Sequence, residues 1–441
     1  MKRVRFLLIA LSLSFVPVVG AQQLATKPPI GKHLRHRMTN QTSGTPNQTE
    51  RQAFSAHTNP DDAAKIWELG TYRGGTWLAT WHINDLGVIV GRGDVPPIGP
   101  DGVGYTHTLA VPLFGPHSGE WIDLETLSGE QPTGWEEPLA DISNTGLVVS
   151  RSTALDGHAH GVAWTKATDP FDLGALADTH DPRYATYKSS YAIGTNELGT
   201  LIVGGSSVDG DIDVGFLALV VWASSNVWSN GKFVTKWQIH KLDTGEYRGF
   251  GWDVWDVNNY GQIIGVGGNG NPATVETGAL WNPRADGKGW EELMSLPRSK
   301  AYPFTEPYGI NEMGEIVGIV ASADWNTQRS ALWIPLDKTR TKYSKPIVLP
   351  VPAGGFTSCE AVGINNLGDI VGDCWNEDGS VNLPARWTTK DLDSSKIIAF
   401  PGDWGFAWGV NNNRIAAVTY GGGENCPADT YGSCVGAVQL H

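Results

Sequence analysis

The sequence predicts an all-β fold, a seven-bladed β-propeller with four-stranded blades, closed by an N-terminal strand that pairs into the last blade. Three observations predict it. A turn motif, seen in full as Ile364-Asn365-Asn366-Leu367-Gly368-Asp369-Ile370-Val371-Gly372, recurs seven times between residue 83 and the C-terminus. Successive copies start 46 to 62 residues apart, which is the size of a propeller blade. The first and last strand-like pieces also complement each other.

The motif predicts a tight hairpin turn. Asn, Asp or Ser is favoured at the first position of a type I turn, where the side chain bonds the backbone, and Gly at the fourth, where φ is often positive. The last copy has no Gly, and we expect Asn413 to replace it one residue early because Asn tolerates positive φ. The seven turns cover residues 83–87, 142–146, 195–199, 257–261, 310–314, 364–368 and 410–414.

Four strand-like pieces make up each unit. An aromatic-rich piece precedes the turn, a β-branched piece follows it, the third centres on Ala-Leu-Trp as at 279–281, and the fourth resembles 121–124. The chain starts at 66–69 with a piece of the fourth type and ends at 436–440 with one of the third. Pairing the two ends closes a ring without an exposed edge, whereas an open solenoid would usually carry polar caps.

The N-terminal part is predicted to be a signal peptide followed by a linker. Residues 1–21 form a basic start, a short apolar run and small residues, which predicts a signal peptide cut after Ala21 rather than a membrane anchor. Residues 22–62 are polar, with few apolar positions, and predict a disordered or linker lead-in. Residues 63–441 then form a single propeller domain, and the mature chain is expected in the periplasm or outside the cell.

Composition restricts the partners. The net charge of −14 becomes −17 once Lys2, Arg3 and Arg5 leave with the signal peptide. Such a charge argues against nucleic acid or an anionic membrane surface as partner. The 55 Gly and 19 Trp suit a repetitive all-β protein with Gly-rich turns. An extracellular glycan or protein remains as partner, and the chain is expected to be a monomer.

Four cysteines are expected to form two disulfides. If Ile364 and Asp369 flank the turn, residues whose numbers sum to 733 face each other, which pairs Cys359 with Cys374 and leaves Cys426 with Cys434. An exported chain permits such bridges. Zinc is the alternative, but the sequence has no Cys-x-x-Cys and no neighbouring His.

The turn motif, the variable loop after it and the Ala-Leu-Trp strand resemble the His-Ala-Phe (HAF) extracellular repeat family of exported bacterial proteins over roughly residues 64–441. The name-giving tripeptide is degenerate here, since His160 precedes Gly-Val-Ala and His107 precedes Thr-Leu. The resemblance implies an exported β-repeat protein. It implies no catalytic residues.

Long variable loops are expected on the face of the ring opposite the tight turns, and binding residues tend to lie on such loops. Flat aromatic side chains beside hydroxyl-binding polar groups suit a sugar ring, although aromatic side chains also pack blade against blade. The predicted ligand-binding residues are Trp135, Tyr184, Trp252, Tyr302, Trp325, Trp375 and Trp404.

Catalytic and metal candidates are weak. His158 and His160 could act as acid and base if they share a cleft with Arg183 and Tyr187, but a strand-end His with satisfied hydrogen bonds is the commoner outcome. No cofactor is expected. Asp209, Asp211 and Asp213 resemble the start of a calcium loop that lacks its twelfth-position Glu.

The sequence therefore favours a non-enzymatic exported propeller that binds a ligand, with carbohydrate first and protein second. A polysaccharide lyase or another polysaccharide-degrading enzyme is the opposing hypothesis, by analogy with other propellers. A protein-interaction scaffold is the third.

Overall fold

The computed structural model describes residues 65–75, 77–95, 105–129, 140–208, 218–229, 232–244, 253–267, 277–291, 294–422, 426 and 433–441. Seven four-stranded antiparallel sheets stand in a ring, so the predicted seven-bladed β-propeller is confirmed. Within these ranges the helical pieces are short 3-10 turns such as Leu176–Thr179 and Pro182–Tyr184, and no helix there has the length and apolar character to cross a membrane.

The strands of each blade follow one another from the central channel outwards, apart from the first strand of the chain. Blades 1 and 2 contain β2 (Leu78–Ile83), β3 (Val88–Val95), β4 (Tyr105–Pro112), β5 (Ile122–Asp123), β6 (Asp141–Ile142), β7 (Val148–Thr153), β8 (Ala159–Trp164) and β9 (Pro170–Gly174). Blades 3 and 4 contain β10 (Ser189–Thr195), β11 (Leu201–Ser207), β12 (Ala218–Ser229), β13 (Lys232–Lys241), β14 (Asp253–Val257), β15 (Ile263–Gly267), β16 (Thr277–Trp281) and β17 (Met294–Ser295). Blades 5 and 6 contain β18 (Phe304–Ile310), β19 (Ile316–Ala321), β20 (Gln328–Trp333), β21 (Ile347–Val348), β22 (Ser358–Ile364), β23 (Asp369–Trp375), β24 (Asn382–Thr388) and β25 (Asp391–Ile397). Blade 7 contains β26 (Trp404–Val410), β27 (Ile415–Gly421), β28 (Cys434–Gln439) and β1 (Ile66–Gly70).

The ring closes as predicted. β1 pairs antiparallel with β28, with Ile66 opposite Val438 and Glu68 opposite Gly436, and forms the outer edge of blade 7. The Asn-x-x-Gly turns then lie at one end of the ring, the tight-turn face, together with the connections from third to fourth strands. The long-loop face at the other end carries the remaining connections.

The first Asn of the turn has two roles. Its side-chain oxygen accepts backbone N–H groups of its own turn, as Asn365 Oδ1 does from Leu367 and Asp369 at 3.0 and 2.8 Å. Its amide nitrogen donates to a carbonyl of the next blade, as Asn365 Nδ2 does to Asn411 O at 2.8 Å. Asn411 Nδ2 donates in turn to Asn84 O at 2.9 Å across the closure of the ring. Five of the seven turns bond the next blade in this way, and Asp could not replace their Asn residues because its side chain has no donor: Asn84, Asn258, Asn311, Asn365 and Asn411.

The seventh turn corrects one expectation. Arg414, not Asn413, takes the left-handed conformation in the missing Gly's place, with φ 62°. Its guanidinium donates to both carboxylate oxygens of Asp369 at 2.9 and 3.1 Å, which fixes the side chain of a residue that rarely adopts this conformation. The position therefore needs positive φ whatever residue occupies it.

Both predicted disulfides are confirmed, Cys359–Cys374 and Cys426–Cys434. The predicted register beside the turn was wrong, because Ile364 faces Ile370 rather than Asp369. A β-bulge between Ala361 and Gly363 restores the predicted pairing further along, so that Cys359 and Cys374 are opposite each other. A bulge adds one unpaired residue to one strand, which shifts the register by one.

The same bulge occurs in the inner strands of six blades and explains the last glycine of the motif. A Cβ on Gly372 would lie 1.9 Å from the carbonyl oxygen of Glu360 on the bulged strand. Because that oxygen belongs to the backbone, it cannot move aside as a side chain could.

Replacing Gly372 by alanine is expected to lower the free energy of unfolding by about 2 kcal/mol, the usual cost of overpacking a core. Gly161→Ala is the control, since the nearest atoms to its added Cβ lie at 3.3 Å, and a smaller loss is expected. Urea unfolding of the two variants measures the difference. Equal losses would contradict the close approach at Gly372.

Tryptophans of the third strands join neighbouring blades. Trp164, Trp281, Trp333 and Trp387 are buried, and each indole N–H donates to a backbone carbonyl about 37 residues earlier, in the preceding blade, at 2.7 to 2.9 Å. These four Trp residues therefore pack blade against blade.

Candidate functional site

A pocket lies at the tight-turn end of the central channel. Its cavity volume is about 100 Å³, and inner-strand ends and turns of all seven blades line it. The sequence had directed attention to the opposite face.

The residue that lies two positions before the Asn or Ser of each turn shapes the wall of this pocket. Four blades have Gly at this position. A Cβ added to Gly363 would lie 2.5 Å from the carbonyl oxygen of Trp408. The three blades that carry a side chain at this position direct it to the next blade. These residues are His82, Asp141 and Asp256.

The three side chains bind across blade boundaries. His82 Nδ1 lies 2.9 Å from Asp141 Oδ1. Asp141 Oδ2 accepts the backbone N–H of Thr195 at 2.7 Å, and Asp256 Oδ2 accepts that of Ile310 at 3.0 Å. They hold the inner strands at fixed separations and leave polar atoms at the channel wall.

Three further acids line the pocket, each directly after the Asn of its turn: Asp85, Glu197 and Glu312. Asn366 Nδ2 of blade 6 donates to Glu197 Oε1 of blade 3 at 2.8 Å, which spans the channel. Glu312 Oε1 accepts the backbone N–H of Asn259 at 2.9 Å. Together with Asp141 and Asp256, five carboxyl groups therefore line one pocket.

Crowding of these carboxyl groups changes how readily they ionise. Burial, together with the charges of Glu197 and Asp256, raises the pKa of Glu312 to about 7. Burial and the charge of Asp141 raise the pKa of Asp256 to about 6. Burial opposes the charged form of His82, but the charge and hydrogen bond of Asp141 outweigh it and raise the pKa of His82 to about 9. Five carboxyl groups and one imidazole thus face each other in one pocket, and the negative charges make it harder for each further carboxyl group to ionise.

Replacing Glu312 by glutamine is expected to stabilise the protein by on the order of 1 kcal/mol at pH 8.5, after allowing for solvent screening. The folded-state pKa is raised, so the folded protein holds a proton that the unfolded chain has lost between about pH 4.5 and 7, and stability falls as pH rises through that window. The gain of the variant should vanish near pH 4.5. Urea unfolding at both pH values measures it, and a gain of equal size at both would contradict the assignment.

The residues of this pocket were not among the predicted site residues, because the tight turns were predicted to be scaffold alone. A signal was present in the acids at the second turn position of three copies, Asp85, Glu197 and Glu312. A second was the departure from Gly at His82, Asp141 and Asp256. Both become visible only when the seven copies are aligned on the ring.

The predicted aromatic residues divide into three groups. Trp135 and Trp252 lie outside the described residues. Tyr184 lies in a 3-10 turn of blade 2 and packs edge-on against Tyr187, with ring centroids 5.8 Å apart. The rest lie at the long-loop face of blades 5 to 7 and are partly exposed: Tyr302, Trp325, Trp375 and Trp404.

The proposed catalytic set is not assembled into one hydrogen-bonded group. His160 is buried, with Nδ1 2.9 Å from Asp172 and Nε2 3.0 Å from the carbonyl of Lys188. Its equivalent in blade 1, His107, lies 2.7 Å from Asp123 in the same way. Both rings thus have structural partners on the outer strands.

Two other members of the set have their own surroundings. Arg183 is exposed and pairs with Asp181, and Tyr187 packs on Tyr184. His158 is partly exposed, and its backbone N–H donates to Asp156 Oδ1 at 2.9 Å. The acid and base roles of these residues stay a prediction.

The calcium candidates Asp209, Asp211 and Asp213 lie outside the described residues, so calcium binding there stays a prediction. Among the described residues no group of three or more His, Cys, Asp or Glu side chains has the geometry to hold a metal ion, and the acidic channel pocket is included in that statement.

Comparison with known proteins gives the fold alone. No protein-family model and no curated protein matches the sequence. Similar solved structures include the BP39L lectin from Burkholderia pseudomallei, with 10% identity, a TM-score of 0.41 and coverage of 84% of this chain and 97% of that one. Others are the WD40 domain of SCAP from fission yeast (8% identity, TM-score 0.40, 81% and 82%) and the PQQ-bound aldose sugar dehydrogenase from Streptomyces coelicolor (9%, 0.37, 86% and 98%).

Identities and TM-scores of this size carry no argument about ligand or reaction. The similarity of the turn motif to the His-Ala-Phe repeat family stays a prediction. Only this chain's own residues indicate what it binds.

Proposed function

We propose that this protein is an exported, non-enzymatic β-propeller that binds an extracellular glycan on its long-loop face. One observation carries the proposal: three consecutive blades each place a partly exposed tryptophan at this face, Trp325 in blade 5, Trp375 in blade 6 and Trp404 in blade 7. Buried aromatic residues already join the blades elsewhere, so packing does not require these three to reach the surface.

Trp325 is held in an unusual way. It lies in the loop between β19 and β20 with φ 62°, a conformation that bulky side chains rarely adopt. The loop is fixed by hydrogen bonds from Trp325 N to Ser322 O at 2.9 Å and from Ser322 N to Thr327 O at 3.0 Å. Its indole packs on Phe304, with ring centroids 4.4 Å apart. Strain of this kind concentrates at functional sites.

Trp404 is positioned by a glycine. An added Cβ on Gly421 would lie 2.4 Å from the indole nitrogen of Trp404, so the ring covers the bare backbone there. Its other neighbour is Phe406, with ring centroids 6.4 Å apart. Trp375 ends β23, and its carbonyl accepts the N–H of Thr357 at 2.9 Å. The rings are thus supported from behind and partly open to solvent.

Polar side chains accompany the rings. Asp324 and Asn326 are exposed and bonded to each other beside Trp325, with Asn326 Nδ2 donating to Asp324 Oδ2 at 2.8 Å. Asp403 is exposed beside Trp404, and Asn376 follows Trp375. An aromatic face that packs on C–H groups, with neighbouring groups that bond hydroxyls, is what a sugar ring requires.

Mature protein is expected to be retained by immobilised polysaccharide, and alanine at Trp325, Trp375 or Trp404 to weaken retention roughly 10-fold, which corresponds to about 1.4 kcal/mol. Trp237→Ala is the matched control, since this tryptophan is partly exposed but lies on the outer strand of blade 3. The screen uses acidic and neutral polysaccharides and follows unsaturated ends by absorbance.

Retention without new unsaturated ends supports binding and excludes a lyase for the polymers tested. Cleavage would replace the proposal by the enzyme hypothesis. Retention that Trp237→Ala weakens as much as the other three variants would show that the long-loop face is not the site.

A further inference from the structure

The tight-turn face exposes an unusual amount of apolar surface around the acidic channel pocket. In five turns the residue two positions after the Asn is large, apolar and 42 to 62% exposed: Leu86, Leu198, Tyr260, Met313 and Leu367. Phe114 and Leu336, from third-to-fourth strand connections, are also exposed at this face. Exposed apolar residues repeated at one structural position and surrounding a pocket mark an interaction surface.

Charge indicates what kind of occupant fits. Five carboxyl groups line the pocket inside this apolar ring, so an apolar segment carrying basic residues is complementary to it. A second copy of this chain, presenting the same face, would oppose acid to acid.

The chain itself contains such a segment. Residues 22–64, which remain after the predicted cut, carry 5 Lys and Arg and 3 Asp and Glu, a net charge of +2, and residues 65–441 carry −19. Residues 27–38 have four basic residues, two histidines and no acid, with apolar side chains interspersed: Lys27, Ile30, Lys32, His33, Leu34, Arg35, His36, Arg37 and Met38.

The geometry of β1 brings this segment to the right face. β1 starts at the tight-turn face, where Lys65 O accepts the N–H of Gln439 at 2.9 Å and Gln439 Nε2 donates to Asn413 O at 2.9 Å. The chain that precedes Lys65 is therefore joined to the ring at this face. The distance from the outermost to the innermost strand of a blade is about 14 Å, at 4.8 Å per strand. The 26 residues from 39 to 64 can span up to about 86 Å, which is more than enough.

We propose that residues 27–38 dock across the mouth of the channel on the tight-turn face of the same molecule, with apolar side chains on the exposed ring and a basic side chain at the carboxyl groups. The ligand face proposed above lies at the other end of the channel, so this contact is independent of glycan binding.

Hydrogen–deuterium exchange of the mature protein, residues 22–441, tests the contact directly. Amides of residues 27–38 are expected to exchange at least 10-fold more slowly than those of a synthetic peptide of residues 24–40. The Lys32→Glu/Arg35→Glu/Arg37→Glu variant should lose this protection, and so should the Leu86→Ser/Met313→Ser variant, whose changes lie at exposed positions and leave the core intact. Glu377→Gln/Asp378→Asn is the control, because both acids are exposed at the long-loop face.

A second measurement uses the same peptide with protein that lacks residues 22–40, which keeps every strand. Fluorescence anisotropy should show binding that Leu86→Ser/Met313→Ser abolishes and 0.5 M NaCl weakens. Exchange of residues 27–38 at the rate of the free peptide would overturn the proposal. Protection that survives both face and segment variants would overturn it too, and protection that grows with protein concentration would indicate a second copy instead.

Discussion

Replacing Trp408 by alanine is expected to lower the free energy of unfolding by about 3–5 kcal/mol, the range for removing a buried aromatic side chain. Trp408 is 4% exposed and occupies the bulge of the inner strand of blade 7. Its ring stacks on that of Trp81 from blade 1, with centroids 4.1 Å apart. The cavity left by alanine would therefore open at the ring closure, where blade 7 packs against blade 1.

Urea unfolding followed by far-ultraviolet circular dichroism measures this loss without depending on tryptophan fluorescence. Trp404→Ala is the matched control, since this residue lies on the same strand but is partly exposed, and its loss should be about 1 kcal/mol. Equal losses for the two variants would show that the stacking at the ring closure contributes nothing special.

Removing the Cys359–Cys374 bridge by alanine at both positions is expected to cost about 3 kcal/mol, because the bridge closes a 15-residue loop in the unfolded chain. Both cysteines are buried in blade 6, so the small side chains also leave space there. The same change at Cys426 and Cys434, eight residues apart, should cost slightly less.

Reduction with dithiothreitol separates the bridge from the packing. On reduction, the free energy of unfolding of the wild-type protein should fall by about 3 kcal/mol if only the Cys359–Cys374 bridge opens. That of the double-alanine variant should fall only by what the Cys426–Cys434 bridge contributes. An unchanged unfolding midpoint in the double-alanine variant would rule out a stabilising role for the bridge.

The architecture was predictable because each repeat contains the residues that determine its fold. Asn365 and Gly368 have requirements that are local to one turn, and seven copies of one requirement fix the number of blades. Ring closure followed from the strand types at the two ends. The bulge at Val362 was not predictable, since it arises where neighbouring inner strands crowd around the channel, and it shifted the register beside the turn by one residue.

The candidate sites were less accessible to sequence reasoning. Glu197 and Asn366 are 169 residues apart in sequence and meet only because the ring brings blades 3 and 6 across one channel. His160 lies 2.9 Å from Asp172 on the outer strand, a contact that its position in the sequence did not predict. Trp325 was identified by residue type alone, and its left-handed backbone became apparent only with the fold.

The position of β1 has a consequence for how the chain is made. This strand is synthesised first, and its partner β28 is among the last segments to appear. Until then β1 has an unpaired edge and blade 7 has no outer strand, so the growing chain carries an edge open to wrong pairing for most of its synthesis. Joining segments so distant in sequence also costs loop-closure entropy before any contact rewards it. Pairing of β28 with β1 is therefore the step that closes the ring, and a chain without β28 would stay open however well its other blades had formed.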